Sequence, residues 1–131
     1  MNTIYITKND HKKLIDLINK KWRQDDNDKT LLVELNRAII IESQEVPGDV
    51  ITMNSLVVFS DIESKDELEY WLVFPEDANV NQRKISVLSP IGCALLGYRI
   101  GDVIAVQTPK GEKKLKVEKI LHQPESHGNY E

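Results

Sequence analysis

Apolar residues recur with two different periods along this chain, and the period changes near residue 46. In the first stretch Leu14, Ile15, Ile18 and Trp22 return at helical spacing, which predicts a helix over residues 8–23 with one apolar stripe. Thr7, followed three residues later by Asp10, supplies its start: hydroxyl and carboxylate satisfy backbone N–H groups that a first turn leaves free. The polar run from Gln24 through Asp25, Asp26, Asn27 and Asp28 ends the stripe. A second helical period covers residues 29–42, with Leu31, Leu32, Leu35, Ala38 and Ile39 on one side and Asp28 or Thr30 as its cap. So short a connection is expected to lay the two helices antiparallel, stripe against stripe.

From Glu45-Val46-Pro47-Gly48 onward apolar and polar positions alternate, as in Leu68, Tyr70, Leu72 and Phe74 set against Glu67, Glu69, Trp71 and Val73. Strands are predicted over 50–53, 56–61, 67–74, 84–88, 102–108 and 113–122, and they are expected to form one antiparallel sheet. Thr108-Pro109-Lys110-Gly111 reads as a turn whose proline presets the first corner. One helix interrupts the strands: Ser89 caps it, Pro90 suits its first turn, and Gly97 suits a left-handed exit. Between those marks Ile91, Ala94, Leu95 and Leu96 provide a face to pack on the sheet. The tail from Pro124 to Glu131 has little to bury and is expected to be mobile. The fold class that follows is α+β, an N-terminal helical hairpin over 1–45 and a sheet with one packed helix over 46–131.

Composition narrows what such a chain does. Its 131 residues, 40% of them hydrophobic, suffice for one domain or a small domain with an appendage, not for a cleft between two full domains. Charges at Lys8, Asp10, Lys12, Lys13 and Asp16 leave no apolar core for a signal peptide, and no long apolar run follows, so a soluble cytoplasmic protein without a membrane partner is expected. One cysteine, Cys93, makes no internal disulfide, and His11, His122 and His127 lie too far apart for zinc-ligand spacing; neither a structural metal nor a cofactor is expected. A formal charge of -4 argues against direct nucleic-acid binding and in favour of a protein partner; an exposed hairpin permits a monomer, which is the expected state, though the sequence leaves the oligomeric state open.

The stretch Lys84-Ile-Ser-Val-Leu-Ser-Pro-Ile-Gly-Cys-Ala-Leu-Leu-Gly97, continuing through Arg99-Ile-Gly-Asp102-Val and closing at Pro109-Lys-Gly111, resembles the C-terminal domain of the Gre transcript-cleavage factors. The resemblance implies a small sheet wrapped on a helix in the manner of the FKBP prolyl isomerases, preceded by an antiparallel coiled coil. Three further segments, Val50-Ile-Thr-Met-Asn-Ser55, Tyr70-Trp-Leu-Val-Phe-Pro-Glu-Asp77 and Gln123-Pro-Glu125, look more like the regulator of nucleoside diphosphate kinase branch than like the Gre factors proper. With the hairpin, the resemblance spans essentially the whole chain. It implies a non-catalytic regulator that binds RNA polymerase near the secondary channel in competition with Gre factors, with a regulatory link to nucleoside diphosphate kinase.

By the same resemblance, the hairpin tip is the first place to look for chemistry. Gre factors send a long coiled coil down the channel, where tip carboxylates help hold the catalytic magnesium ion. Here the tip offers Asp25, Asp26 and Asp28, hard oxygen ligands of the kind magnesium takes. A first helix of about 15 residues extends only about 22 Å, roughly half the Gre reach, which weighs against the alternative reading of a cleavage factor. The plainer reading makes these aspartates a solvated turn that caps the second helix; an intermediate one lets them steer association with basic groups at the channel mouth. Ser89 and Pro90 stand where the Gre factors grip the polymerase rim, so the resemblance makes them the partner-binding candidates, with helix capping as the simpler role. Cys93 is expected to be buried and inert, His122 and His127 to be solvated without a role, and Trp22 and Trp71 to pack, Trp71 with part of its ring exposed. Prolyl isomerisation would follow from fold analogy alone, and an aromatic content of 6% gives it little support.

Overall fold

The computed structural model describes residues 3–109 and 111–128. A short strand β1 (Tyr5–Thr7) leads directly into α1 (Lys8–Asn19), and the Thr7 hydroxyl accepts the Asp10 N–H at 3.2 Å, as its position predicts. The helix ends one turn earlier than its periodicity suggests. Lys20 closes it, Lys21 turns toward Asp28, and Trp22, expected to pack, is 99% exposed. The reversal over residues 20–25 draws on residues that the apolar period assigns to the helix.

The second helix, α2 (Asp26–Arg37), starts and stops before the predicted 29–42. Its cap is Asp25 rather than Asp28 or Thr30, and Ala38 already has extended dihedrals, φ -67 and ψ 149. Three consecutive isoleucines follow and form β2 (Ile39–Ile41), parallel to β1, because β-branched side chains prefer an extended backbone. Ile39, expected on the buried stripe, is therefore 48% exposed. His11 Nε2 lies 3.2 Å from the Leu35 carbonyl, and Lys21 reaches Asp28 at 2.6 Å, so contacts join the start of α1 to the end of α2 and the end of α1 to the start of α2.

The remaining strands are β3 (Leu56–Asp61), β4 (Glu67–Val73), β5 (Lys84–Ser86), β6 (Val103–Thr108) and β7 (Gly111–His122), ordered β5-β4-β3-β7-β6. Three of the four pairings are antiparallel, whereas β5 runs parallel to β4, so the sheet is mixed rather than wholly antiparallel. Two one-turn 3₁₀ segments, Pro75–Asp77 and Val80–Gln82, carry the chain back to make that parallel return. In the predicted turn after β6, Lys110 lies outside the described residues, and Gly111 has φ +113.

Residues 50–53, predicted as a strand, make a single bridge, Val50 to Arg99. They are buried, but their backbone bonds go to a loop: Ile51 N–H to the Tyr98 carbonyl at 2.8 Å, and Gly97 N–H to the Ile51 carbonyl at 2.9 Å. α3 (Pro90–Leu95) lies on the inner face of the sheet, and Gly97 leaves it with φ +83, close enough to Ile4 that an added Cβ would meet the Ile4 Cβ at 2.9 Å. One buried cluster joins Ile4, Leu14, Ile18, Leu31 and Leu35 to Phe59, Leu72, Leu95, Ile104 and Val117, so the helices and the sheet share their core. The result is a mixed α+β fold with, among the described residues, three α-helices and a predominantly antiparallel sheet.

Candidate functional site

Asp25 and Asp28 hold each other. The Asp25 carboxylate accepts the Asp28 N–H at 2.8 Å, and the Asp28 carboxylate accepts the Asp25 N–H at 3.0 Å, a reciprocal cap on α2. Asp28 is fully buried and takes Lys21 Nζ on Oδ2 at 2.6 Å, while its Oδ1 has no partner. Burial pushes the Asp28 carboxyl upward, yet the hydrogen bonds from Lys21 and from the Asp25 backbone outweigh it and leave the group below its ordinary value. Of the three tip aspartates, only Asp25 and Asp26 are exposed. Among the described residues, no three His, Cys, Asp or Glu side chains converge as a metal would need.

At the other candidate the Ser89 hydroxyl accepts the Gly92 N–H at 3.0 Å and donates to the Ser86 carbonyl at 2.7 Å, pinning the start of α3 to the end of β5. Pro90 follows, exposed. The two sites are not remote from each other. Asn27, between the tip aspartates, lines one open cleft of about 430 Å³ together with Thr30, Glu34, Pro90, Ala94 and the length of β6. The hairpin turn and the Ser89-Pro90 corner thus share a face. Cys93 beneath it is 5% exposed, and burial, helped by Glu34 and Asp25, pushes its thiol up to about 11, far from a reactive thiolate.

A third site escapes the sequence reading as a unit, although two of its segments stand out there. Thr52 Oγ1 donates to Glu125 Oε1 at 2.7 Å, the Thr52 N–H donates to Ser55 Oγ at 3.1 Å, and the Met53 N–H donates to Asp10 Oδ2 at 3.1 Å. Gln123 Nε2 donates to the Pro47 and Val50 carbonyls at 2.8 and 2.7 Å. Segments 50–55 and 123–125 are therefore two sides of one buried polar seam, and α1 enters it through Asp10. Desolvation, opposed by the Met53 N–H and reinforced by Glu125, raises the Asp10 carboxyl to about 6. The seam corrects the expectation for the tail: Pro124 and Glu125 are buried, although residues 129–131 lie outside the described part. It also corrects the expectation for His122, which is half-buried with its ring 5.5 Å from Trp71 and 4.7 Å from His127. Trp71 is half-buried, as its place on the strand predicts.

Comparison with known proteins follows these outlines. Residues 46–122 match the family described as transcription elongation factor GreA/GreB, C-terminal. The regulator of nucleoside diphosphate kinase of Escherichia coli K12 is 39% identical over 101 residues, covering 76% of this chain and 74% of that protein. Transcription elongation factor GreA of Alkaliphilus oremlandii is 35% identical over 102 residues, covering 78% of this chain but 64% of that protein. Transcription inhibitor protein Gfh1 of Thermus aquaticus is 45% identical over 85 residues, 63% of this chain and 53% of that protein. Among solved structures, a GreA/GreB elongation factor from Nitrosomonas europaea superposes with a TM-score of 0.78 at 32% identity, covering 93% of this chain and all of that one. No helix among the described residues is long and apolar enough to cross a membrane. Through the domain formed by residues 46–122, the chain belongs to the GreA/GreB transcription elongation factor family.

Proposed function

We propose that this chain is a cytoplasmic, non-catalytic regulator of transcription that binds RNA polymerase at the mouth of the secondary channel and keeps longer Gre-type factors out. In this reading, residues 1–45 act as a short antiparallel hairpin and residues 46–131 as an FKBP-like platform. The Ser89-Pro90 corner meets the polymerase, and Asp25 and Asp26 face basic groups at the entrance. The chain works as a monomer without contacting nucleic acid, with a regulatory link to nucleoside diphosphate kinase.

One observation carries the proposal. The tip carboxylates are engaged in building the hairpin: Asp25 and Asp28 cap α2 reciprocally, and Asp28 is sealed beneath Lys21. Two helices of 12 residues each, extending about 18 Å, support the same conclusion through reach. The exposed Asp25 and Asp26 retain a role in steering, since rim charges change association rates more than they change affinity.

The test is displacement of a fluorescently labelled Gre factor from core RNA polymerase. Wild type is expected to displace it; Pro90→Asp is expected to weaken displacement by about tenfold or more, the loss of an interface anchor. The double variant Asp25→Asn, Asp26→Asn is expected to retain affinity within a few-fold and to lose part of its salt dependence. Failure of wild type to displace would overturn the proposal.

A further inference from the structure

One row of the sheet leads to a second cleft. In the strand registers Lys84 of β5 stands beside Trp71 of β4, Trp71 beside Leu56 of β3, and Leu56 beside His122 of β7. Neighbours across strands share a face, so Lys84, Trp71 and His122 project to one side, opposite the side on which Leu72 enters the core. The Trp71 and His122 rings lie 5.5 Å apart, and Val73 follows Trp71 on the same face. With the buried Met53, these residues line an open cleft of about 440 Å³. That volume falls in the range of small-molecule sites, roughly 300–1,000 Å³.

Four charged side chains line the same cleft: Lys13 from α1, Asp77 from the one-turn segment after β4, Lys84, and Glu125 from the polar seam. Among the described residues none of the four makes an ion pair. Glu125 is 7% exposed; its Oε1 accepts Thr52 Oγ1 at 2.7 Å, while its Oε2 takes no hydrogen bond among the described residues. A nearly buried carboxylate oxygen is costly to leave without a donor, and this one belongs to a side chain that lines the cleft.

The charges also select the occupant. Two ammonium groups and two carboxylates cancel, so the cleft favours neither a polyanion nor a polycation, and it contains neither the arginine nor the glycine that phosphate sites use. Opposite charges that share a cleft without pairing suit a molecule that carries both signs, and the Trp71 and His122 rings suit a planar apolar group. We propose that this cleft binds a small aromatic α-amino acid as its zwitterion, with the ammonium on Glu125 Oε2, the carboxylate toward Lys84 and Lys13, and the ring against Trp71 and His122. Because Lys13 belongs to α1 and the other groups to the sheet and tail, an occupant also ties α1 to the body. The inference stands apart from the polymerase reading, since it uses no residue of the tip or of the Ser89-Pro90 corner.

Trp71 reports occupancy once the fully exposed Trp22 is replaced by Phe. In the full-length Trp22→Phe chain, millimolar L-phenylalanine is expected to change Trp71 emission saturably. Phenylacetate, which lacks the ammonium, and phenethylamine, which lacks the carboxylate, should each bind about tenfold more weakly or worse, the loss of one hydrogen bond to a charged group. Lys84→Met should weaken L-phenylalanine by about tenfold on the same ground, and so should Glu125→Gln, which keeps an acceptor for Thr52. Lys12→Met, on the exposed side of α1, should change nothing. If Glu125→Gln lowers the melting temperature, the ligand series and Lys84→Met decide the matter. Unchanged emission, phenylacetate or phenethylamine binding as tightly as L-phenylalanine, tighter binding of adenosine monophosphate, or indifference to Lys84→Met would each overturn the proposal.

Discussion

Asp10 shows how one buried carboxylate ties stability to pH. It is 3% exposed, with a carboxyl raised from 3.8 to about 6. Across that window the folded chain holds a proton that the unfolded chain has released, so stability falls as pH rises, by about 2–3 kcal/mol in all. Replacing Asp10 by Asn keeps an acceptor for the Met53 N–H and removes the charge. Denaturant titrations from pH 4 to 7 are expected to show a declining stability in wild type and a flat one in Asp10→Asn. Asp10→Ala, which orphans the Met53 N–H, should be less stable than Asp10→Asn by about 1–3 kcal/mol. Asp28 has the opposite sign: its carboxyl is held low, so its contribution is complete above the ordinary carboxylate range and is lost as pH falls below it. Removing its counter-ion with Lys21→Met is expected to lower the melting temperature, whereas Lys20→Met on the exposed side is expected to leave it unchanged. Residue type and spacing reveal that the tip is acidic and that an aspartate caps a helix. They do not reveal which aspartate is the cap, because the choice depends on Lys21 reaching Asp28 from the turn beyond the end of α1.

The α3 element offers the tightest steric test. A Cβ on Gly92 would sit 2.0 Å from the Ser86 carbonyl oxygen, so α3 cannot keep its distance from β5 if that glycine changes. Gly92→Ala is expected to cost about 3 kcal/mol, while Ser89→Ala, which removes a cap, should cost about 1 kcal/mol; thermal melts of both variants check this. For that reason Pro90, exposed and outside the capping bonds, is the position at which binding is probed without disturbing the fold. Elements with strong local signals were legible in the sequence. Ser89, Pro90 and Gly97 mark α3, and the alternating run 67–74 reads directly as β4. What local pattern misreads is the partner of a backbone. The run of three isoleucines continues a helical stripe by count but becomes β2, because β1 stands ready to pair with it. Residues 50–53 are strand-like by composition, yet they bond to the 97–100 loop, which no periodicity within 50–53 can announce.

At the scale of the whole molecule, α1 and α2 are shorter than the sequence suggests, and the start of α2 lies beside the Ser89-Pro90 corner rather than apart from it. The joining residue is Asn27, which shares the cleft with Pro90. The polar seam of Asp10, Thr52 and Glu125 then fixes the hairpin to the body from the other side, across 73 residues of sequence between Thr52 and Glu125. Both arrangements depend on long-range contacts, which is why the segments 50–55 and 123–125 stand out in the sequence without revealing that they touch. The proposed reading, a plug rather than a catalyst, draws on a short pair of helices, on Asp25 and Asp28 engaged in capping, and on the Ser89-Pro90 corner lying on the same face. The most direct test is RNA cleavage on a backtracked RNA polymerase complex supplied with this protein and no Gre factor. The expected result is cleavage no faster than the polymerase's intrinsic rate, with suppression of Gre-stimulated cleavage when both are present. Stimulated cleavage that disappears in the Asp25→Asn, Asp26→Asn variant would contradict the account and make the tip a site of chemistry.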